Sequence, residues 1–235
     1  MAGGKGRLYG LGVGPGDPEL LTVKALRLLR AAPVVAYPAP EQGDSFARGI
    51  VAGWLVTGQR EIALRFPMRP GPPPAAVYDE AAAALAAVLD GGEDVALLCQ
   101  GDPFFYGSFI SIFLRLSPLY RVEVVPGVSS PVACAAVAGV PLALRDESLT
   151  VIPATLDEPG LARRLAAADA AVVIKLGRHF SKLRRVLERL ALLDGAVYVE
   201  RATLPTQRVL PLSEVDPDTV PYFSLALVRG GGGVA

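Results

Sequence analysis

Gly12-Val13-Gly14-Pro15-Gly16-Asp17-Pro18 separates a short apolar segment from one with helical periodicity. Behind it, Leu21, Ala25 and Leu28 recur at helical spacing, which predicts an amphipathic helix. Asp17 is a favourable N-cap and Pro18 a favourable first helical residue, because Asp can accept a hydrogen bond from an orphan N–H and Pro has no N–H to lose. The stretch therefore predicts a glycine-lined turn that leads from a first strand into a first helix.

Such a turn has two interpretations. Glycines let backbone N–H groups approach a ligand closely, and a helix N-terminus favours a carboxylate or phosphate. The alternative is a tight turn that binds nothing. A dinucleotide-binding fingerprint fits poorly, because Pro15 interrupts the glycines and the second strand candidate, residues 34–37, is followed by Pro38 rather than by a ribose-binding acid.

Composition limits the class of protein. The chain has 235 residues, enough for one large or two small domains, and 51% of them are hydrophobic, which argues against disorder. Lys plus Arg and Asp plus Glu both number 23, so no general attraction to nucleic acid or membranes is expected. The N-terminus lacks the apolar core of a signal peptide, and no segment is long and uncharged enough to span a bilayer. We expect a soluble, cytoplasmic protein.

Few residues are suited to hold a metal. Cys99 and Cys134 are isolated thiols in apolar surroundings, which predicts buried structural cysteines and neither a metal site nor a disulfide framework. The lone histidine, His179, follows a strand candidate. It is interpreted either as a general base or as a residue at the start of a helix.

Two further junctions share the pattern of the first. The continuous apolar run over residues 95–99 is typical of a strand buried on both faces of a parallel sheet, and Gln100-Gly101-Asp102-Pro103 follows it. A fifth strand candidate, residues 122–125, is followed by Pro126-Gly127-Val128-Ser129-Ser130-Pro131. Since parallel strands end at one edge of a sheet, where open α/β sheets bind ligands, a small-molecule site is predicted there.

The whole pattern predicts an α/β protein with two α/β domains. Residues 1–141 should form a parallel five-stranded sheet with helices on both faces, and residues 148–235 a mixed sheet. The mixed sheet is expected because Asp216-Pro217-Asp218, between the last two strand candidates, is a turn signal with no room for a crossover helix. A loop over residues 38–43, a helix over residues 45–56 and an exposed proline-rich connection after Phe66 complete the prediction.

The motifs resemble those of the tetrapyrrole (corrin and sirohaem) methyltransferases, in order and spacing, across nearly the whole chain. The resemblance rests on Gly12 to Asp17 with Leu20-Leu21-Thr22, on Gly101-Asp102-Pro103 and on Pro126 to Ser130. Other motifs resemble the branch of that family that methylates C-20 of precorrin-2: Gly101 to Ser108, Lys175-Leu176-Gly177-Arg178, Glu200-Arg201-Ala202-Thr203 and Val220-Pro221-Tyr222-Phe223-Ser224.

The resemblance implies two α/β domains with S-adenosylmethionine folded into the cleft between them, usually in a homodimer. With one His and two Cys, the chain itself gives no sign of a metal site. Many of the implied contacts would be made by backbone groups. Carried over position by position, the cofactor contacts are Pro15, Gln100, Gly101, Asp102, Phe105, Ser129, Ser130, Leu176 and Ala202.

The implied reaction is a displacement at the cofactor's methyl carbon by an electron-rich carbon of the macrocycle, so alignment and exclusion of water are the main requirements. The catalytic base is unassigned, since some relatives have an Asp after the second strand where this chain has Tyr37-Pro38. Asp17 and Tyr37 are the nearest candidates. Arg178 and Arg201 are expected to bind the macrocycle's carboxylates.

Several alternatives stay open. The substrate could be metal-free precorrin-2 or its cobalt-containing counterpart. Another family member could methylate a different ring carbon or, like diphthine synthase, a protein side chain. A ligand-binding regulator with the same fold and no turnover is the alternative from a different functional class.

Overall fold

A computed structural model describes residues 4–67 and 74–230. They divide into two compact units, with the boundary between Ser129 and Ser130. Most of the predicted proline-rich connection, residues 68–73, lies outside the described residues. None of the described helices combines the length and the apolar character that crossing a membrane requires.

The first unit alternates strands and helices along the chain. Its elements are β1 (Arg7–Gly12), α1 (Val23–Ala31), β2 (Val34–Pro40), α2 (Phe46–Ile50), β3 (Arg60–Phe66), α3 (Ala75–Asp90), β4 (Val95–Cys99), α4 (Phe109–Leu116) and β5 (Arg121–Val125). The five strands form one parallel sheet, as predicted, and their order in it is β3-β2-β4-β1-β5.

β4 is the central strand of this sheet and is buried along its whole length. Val95, Leu97 and Cys99 face the cluster that α3 and α4 complete, whereas Ala96 and Leu98 face the cluster that α1 and α2 complete. The continuous apolar run follows from this, because a strand covered on both faces has no polar side. The predicted helices on both faces are confirmed.

β2 extends through two prolines, so the predicted loop over residues 38–43 is wrong at its start. β2 pairs with β3 from Val34 to Pro40, but its pairing with β4 stops at Ala36. The end of β2 therefore lies beside only one neighbour, where a residue without an N–H costs no ladder hydrogen bond. Ser45 secures this end, because its hydroxyl donates to the Pro38 carbonyl at 2.6 Å.

The predicted helix over residues 45–56 is too long. α2 ends at Ile50, and a short 3₁₀ turn, Ala52–Trp54, follows it. Gly49 and Gly53 both lower the helix propensity of this segment. Trp54, at the end of this turn, is 37% exposed.

The second unit contains the mixed sheet that the sequence predicts. Its elements are α5 (Ser130–Ala138), β6 (Leu149–Pro153), α6 (Glu158–Ala166), β7 (Ala170–Ile174), α7 (Phe180–Arg189), β8 (Val197–Glu200), β9 (Arg208–Pro211) and β10 (Ser224–Arg229). The strand order is β6-β7-β10-β8-β9, in which β6 and β7 are parallel and every other pair is antiparallel. β9 and β10 lie on opposite sides of β8 and run in the same direction, so the turn signal between them, which was the reason given for the mixed sheet, does not join an antiparallel pair.

Helices cover both faces of this second sheet. α6 and α7 pack on a core that includes Tyr198, while Cys134 of α5 packs with Val172 and Val199 on the opposite face. α5 therefore belongs to the second unit, whereas the sequence pattern places the boundary after residue 141. Burial raises the pKa of the Cys134 thiol to about 12. Cys99 is buried as well, so the prediction of buried structural cysteines is confirmed.

Arg229 ties residues 141–147 to the last strand. Its Nη2 donates to both carboxylate oxygens of Glu147 at 2.6 Å, and its Nη1 donates to the Pro141 carbonyl at 3.0 Å. Residues 141–147, which lie between the two predicted domains, are thus held within the second unit by a side chain of β10.

Candidate functional site

The strand order brings the three glycine-containing junctions together in the first unit. β1 lies between β4 and β5, and all three strands run in the same direction. The loops that follow Gly12, Cys99 and Val125 therefore emerge side by side at one edge of the sheet.

Two of these loops are joined by backbone hydrogen bonds. Gly14 and Gly101 form an isolated antiparallel bridge, in which the Gly101 N–H donates to the Gly14 carbonyl at 2.8 Å and the Gly14 N–H donates in return at 3.3 Å. The φ angles are +80° at Gly14 and +66° at Gly101, in the left-handed region that favours glycine. Both polar backbone groups of Gly101 are thus used to join the loops.

The third loop packs against the first two at Gly127. A Cβ atom added to Gly127 would lie 2.2 Å from the Gly101 carbonyl oxygen and 2.7 Å from the Gly12 Cα. A Cβ atom added to Gly12 would lie 2.4 Å from the Gly127 nitrogen. Because these neighbours are backbone atoms, they cannot rotate away. We name the three residues Gly12, Gly101 and Gly127 the glycine contact.

Asp102 adds a side-chain link between two of the loops. One carboxylate oxygen accepts from the Phe104 N–H at 2.9 Å, and the other accepts from the Gly127 N–H at 3.1 Å. The first bond closes a local turn, in which an Asp side chain accepts from the N–H of the residue two positions later. This kind of turn can be predicted from the sequence. The second spans two loops and has no local signal. Both oxygens of Asp102 therefore serve loop structure.

The loop after Asp102 carries aromatic side chains. The Phe105 N–H donates to the Asp102 carbonyl at 3.3 Å, and the Phe105 ring lies edge-on to the Tyr106 ring at 5.1 Å. Tyr106 has a φ of +56°, an unusual backbone conformation for a bulky residue. Around this loop the same sheet edge carries the other predicted residues of this unit: Pro15 is buried, and Gln100 and Ser129 are half-buried.

Asp17 does not cap α1, so that prediction is wrong. Its Oδ1 accepts from the Glu19 N–H at 2.8 Å and caps a single 3₁₀ turn, Pro18–Leu20. Leu21 is extended and ends that turn. Thr22 caps α1 instead, because its hydroxyl accepts from the Ala25 N–H at 3.1 Å.

Tyr37 lies in β2 beside an ion pair. Arg48 donates two bonds of 3.0 Å to Glu61, which lowers the pKa of the Glu61 carboxyl. Burial and a hydrogen bond with Glu61 raise the pKa of the Tyr37 hydroxyl. Tyr37 is therefore a neutral phenol at neutral pH, which disfavours it as a proton acceptor.

The second unit places its predicted residues at the ends of two strands. β7 and β8 run in the same direction because each pairs antiparallel with β10, so their carboxyl ends share one edge. Leu176 follows β7 and is fully buried, and Ala202 follows β8 and is 7% exposed. Arg178 and Arg201 are exposed beside them, whereas Ser130 is the exposed first residue of α5.

The backbone is strained at these two strand ends. Lys175, Arg201 and Thr203 have φ angles of +60°, +48° and +68°. Such conformations are uncommon outside glycine and cluster at functional sites. Lys, Arg and Thr are not residue types that indicate a positive φ, so these strained positions were not predicted from the sequence. The Arg201 N–H donates to the Phe223 carbonyl at 2.8 Å, which joins this edge to the segment before β10.

A buried carboxylate lies behind Arg201. The Glu200 side chain is 3% exposed and accepts a hydrogen bond of 2.6 Å from the buried Tyr198 hydroxyl. Burial and this bond raise the pKa of Tyr198. Within the described parts of the chain, Glu200 is the one buried charged side chain.

His179 contacts one of the predicted substrate residues. Arg178 Nε lies 3.4 Å from His179 Nε2. Burial lowers the pKa of His179, as do the charges of Lys182 and Arg178. The imidazole is neutral at pH 7 and accepts from Arg178. Over residues 4–67 and 74–230, no group of three or more His, Cys, Asp and Glu side chains is arranged to hold a metal ion.

Comparisons with known sequences agree with these motifs. The profile of the Tetrapyrrole (Corrin/Porphyrin) Methylases matches residues 7–216. A precorrin-2 C(20)-methyltransferase from Sinorhizobium sp is 43% identical, with 97% of this chain and 96% of that protein covered. A cobalt-precorrin-2 C(20)-methyltransferase from Salmonella typhimurium is 37% identical, with coverages of 95% and 96%.

Some relatives are longer. The cobalamin biosynthesis protein CobIJ of Mycobacterium tuberculosis is 47% identical over 97% of this chain, but the chain spans only 46% of that protein. The chain thus covers about half the length of these relatives.

Solved structures share the fold. A cobalt precorrin-4 methyltransferase superposes with a TM-score of 0.76 at 22% identity, covering 95% of this chain and 94% of its own. A uroporphyrin-III C-methyltransferase from Thermus thermophilus, complexed with S-adenosylhomocysteine, gives 0.69 at 28% identity, with coverages of 95% and 97%.

Gly127→Ala should destabilise the protein by about 3 kcal/mol, because the added methyl group meets backbone atoms that cannot move aside. Urea unfolding measures the change. Gly49→Ala in α2 is the matched control, since nothing lies within 4 Å of its added Cβ. That control should be neutral or stabilising. An unchanged unfolding midpoint for Gly127→Ala would contradict the glycine contact.

Asp102→Asn should loosen the loop after β5, since the amide nitrogen cannot accept from a backbone N–H. We expect faster hydrogen exchange at the Gly127 or Phe104 amide and a loss of about 1–2 kcal/mol in stability. Asp79→Asn is the control, because it removes only a surface ion pair with Arg115. If both amides stay as protected as in the wild type, Asp102 does not bridge the loops.

Proposed function

The chain belongs to the tetrapyrrole methylase family, and on that premise we propose that it transfers a methyl group from S-adenosylmethionine to C-20 of precorrin-2 in cobalamin biosynthesis. The observation that carries the proposal is the nearly full-length alignment with relatives named for that reaction. The whole protein's activity is part of the proposal, because other relatives extend well beyond the matched region.

The loops of the first unit fit a cofactor held by backbone groups. The glycine contact removes side chains where the loops meet, so the three backbones pack directly against one another and fix the course of the loops. The side chain of Asp102 and the polar backbone groups of Gly101 already have partners within these loops. Both residues therefore set the loop shape. They would also contact the cofactor, together with Pro15, Gln100, Phe105 and Ser129, since a carbonyl or carboxylate oxygen with one partner can accept a second hydrogen bond.

In the second unit, the cofactor contacts that the family resemblance implies are Leu176, Ala202 and Ser130 at the start of α5. Leu176 packs in the core that α6 and α7 cover, and Ala202 packs in the core on the opposite face, so these two residues would contact the cofactor through backbone groups. S-adenosylmethionine supplies the methyl group on a sulfonium, which makes it electrophilic. A relative in this family has been solved with S-adenosylhomocysteine.

The protein's own residues orient the substrate and exclude water. Arg178 and Arg201 bind the acetates and propionates of the macrocycle, since guanidinium groups match carboxylates in bidentate fashion. His179 holds Arg178 through its neutral Nε2. The group that accepts the proton from the methylated carbon is unassigned, and Asp17 stays the candidate nearest to the first junction.

Three coarser features complete the proposal. The chain has two domains, which the sequence pattern places at residues 1–141 and 148–235, the assembly is a homodimer, and the location is cytoplasmic. The family resemblance supports the two domains, the homodimer and the location, whereas the structure groups α5 with the second unit. The metal-free and cobalt-containing forms of precorrin-2 are both candidate substrates, because similar relatives are named for each.

Methyl transfer is tested directly. The protein is incubated anaerobically with S-adenosylmethionine and with each form of precorrin-2, and the products are weighed by mass spectrometry. We expect one added methyl group on at least one form and none without the cofactor. Cofactor binding with no methyl on either form would overturn the proposal and favour a regulator of the same fold.

Arg201→Ala should raise the KM for the tetrapyrrole about 10- to 100-fold, the loss expected for one charge-assisted hydrogen bond. The KM for S-adenosylmethionine should hardly change. Arg163→Ala removes the same charge from an exposed position on α6 and serves as control. Normal turnover at low tetrapyrrole concentration would remove Arg201 from the substrate site.

A further inference from the structure

The Glu200 carboxylate faces two arginines on its outer side. Its Oε1 lies 3.7 Å from Arg201 Nη1 and 3.6 Å from Arg208 Nη1. Its Oε2 accepts the hydrogen bond from Tyr198. Oε2 is therefore held by a core residue of the second unit, and Oε1 lies near two guanidinium groups.

The sheet sets this arrangement. Arg208 is the first residue of β9 and lies directly opposite Glu200 in the β8–β9 register. Arg201 follows Glu200 in the chain with a φ of +48°, which changes the direction of the backbone at the end of β8. The two arginines therefore reach the same oxygen from neighbouring strands.

The arginines are exposed although their shared carboxylate is not. Their side chains are 42% and 53% exposed, against 3% for Glu200. Both nitrogen–oxygen distances exceed hydrogen-bond length, so the contact is mainly electrostatic. Two cations beside one anion carry a net positive charge, and a second anion on the exposed side would balance it.

We propose that Glu200 is a positioning residue, which with Tyr198 holds Arg201 and Arg208 side by side as a two-guanidinium site for one carboxylate of the tetrapyrrole. Arg208 thereby becomes a further substrate-binding residue. Without the buried anion the two guanidinium groups would repel each other and separate. The inference rests on the proposed function for the identity of the ligand, while the site itself follows from the geometry around Glu200.

The test compares Glu200→Gln with the wild type. Glutamine keeps the shape and a partner for the Tyr198 hydroxyl but removes the charge between the arginines. The dissociation constant of precorrin-2 is measured with the protein saturated with S-adenosylhomocysteine, so that no transfer occurs. We expect it to rise about 10-fold, as for truncated charge networks, while affinity for S-adenosylhomocysteine changes less than about twofold.

Two further variants keep the test decisive. Glu147→Gln loses a partly buried ion pair elsewhere in the second unit and should leave precorrin-2 affinity unchanged. Arg208→Gln removes one exposed guanidinium group and leaves the buried Glu200 in place. It should weaken precorrin-2 binding, and it therefore tests the site even if Glu200→Gln fails to fold. Wild-type precorrin-2 affinity in Arg208→Gln would overturn the inference.

The remaining outcomes also decide. If Glu200→Gln weakens both ligands equally and lowers the melting temperature, Glu200 is merely structural and the inference is wrong. If wild-type protein binds precorrin-2 but transfers no methyl group, the proposed function fails while the binding comparison still decides the role of Glu200. If the wild type binds no precorrin-2, both proposals fail.

Discussion

The close approach of three backbones at Gly12, Gly101 and Gly127 is the constraint on which the site of the first unit depends. It is possible only because β1 lies between β4 and β5, so that three junctions distant in sequence start from adjacent strands. The Gly14–Gly101 bridge and the two bonds of Asp102 then lock the loops in place. The loops are thus shaped by contacts among themselves. Their backbone need not become ordered when a ligand binds, so no binding free energy is lost to that ordering.

The second unit builds its edge by different means. Non-glycine residues with positive φ turn the chain sharply after β7 and β8, and a buried carboxylate sets the positions of arginines beyond β8. A buried charge is costly unless it is paired, and Glu200 has its partners in Tyr198 and two guanidinium groups. Strain and buried charge concentrated at one edge are typical of a functional surface rather than of a scaffold.

Much of this structure could be predicted from local pattern. The continuous apolar run at β4 and the three glycine junctions were sufficient for the parallel sheet. The mixed sheet was also predicted, but the turn signal at Asp216 was the wrong reason, because β9 and β10 each pair antiparallel with β8 and so run in the same direction. Prediction failed where pairing or spacing decided the outcome. The prolines of β2 can lie in a strand because the pairing of β2 with β4 stops at Ala36. α2 ends at Ile50, between two glycines whose low helix propensity the apolar spacing does not take into account.

Side-chain roles were harder to predict than elements. Asp17 and Thr22 are both good caps, and only the extended Leu21 between them decides which one starts α1. The bond from Gly127 to Asp102 and the convergence of Arg208 on Glu200 depend on strand order and register. A single sequence contains neither, so these contacts could not have been found without the fold.

The groups that join the loops around Gly101 differ from the side chains that follow them, and this difference has an evolutionary consequence. The atoms that join the loops are backbone groups and one aspartate, whereas the side chains between Pro103 and Ser108 take little part in the joining. Apart from Phe105, those side chains are free to diversify without disturbing the junction. A gene copy could thus acquire selectivity for a new acceptor molecule while inheriting the joined loops intact, which offers a route by which one ancestral fold supplies successive steps of a pathway.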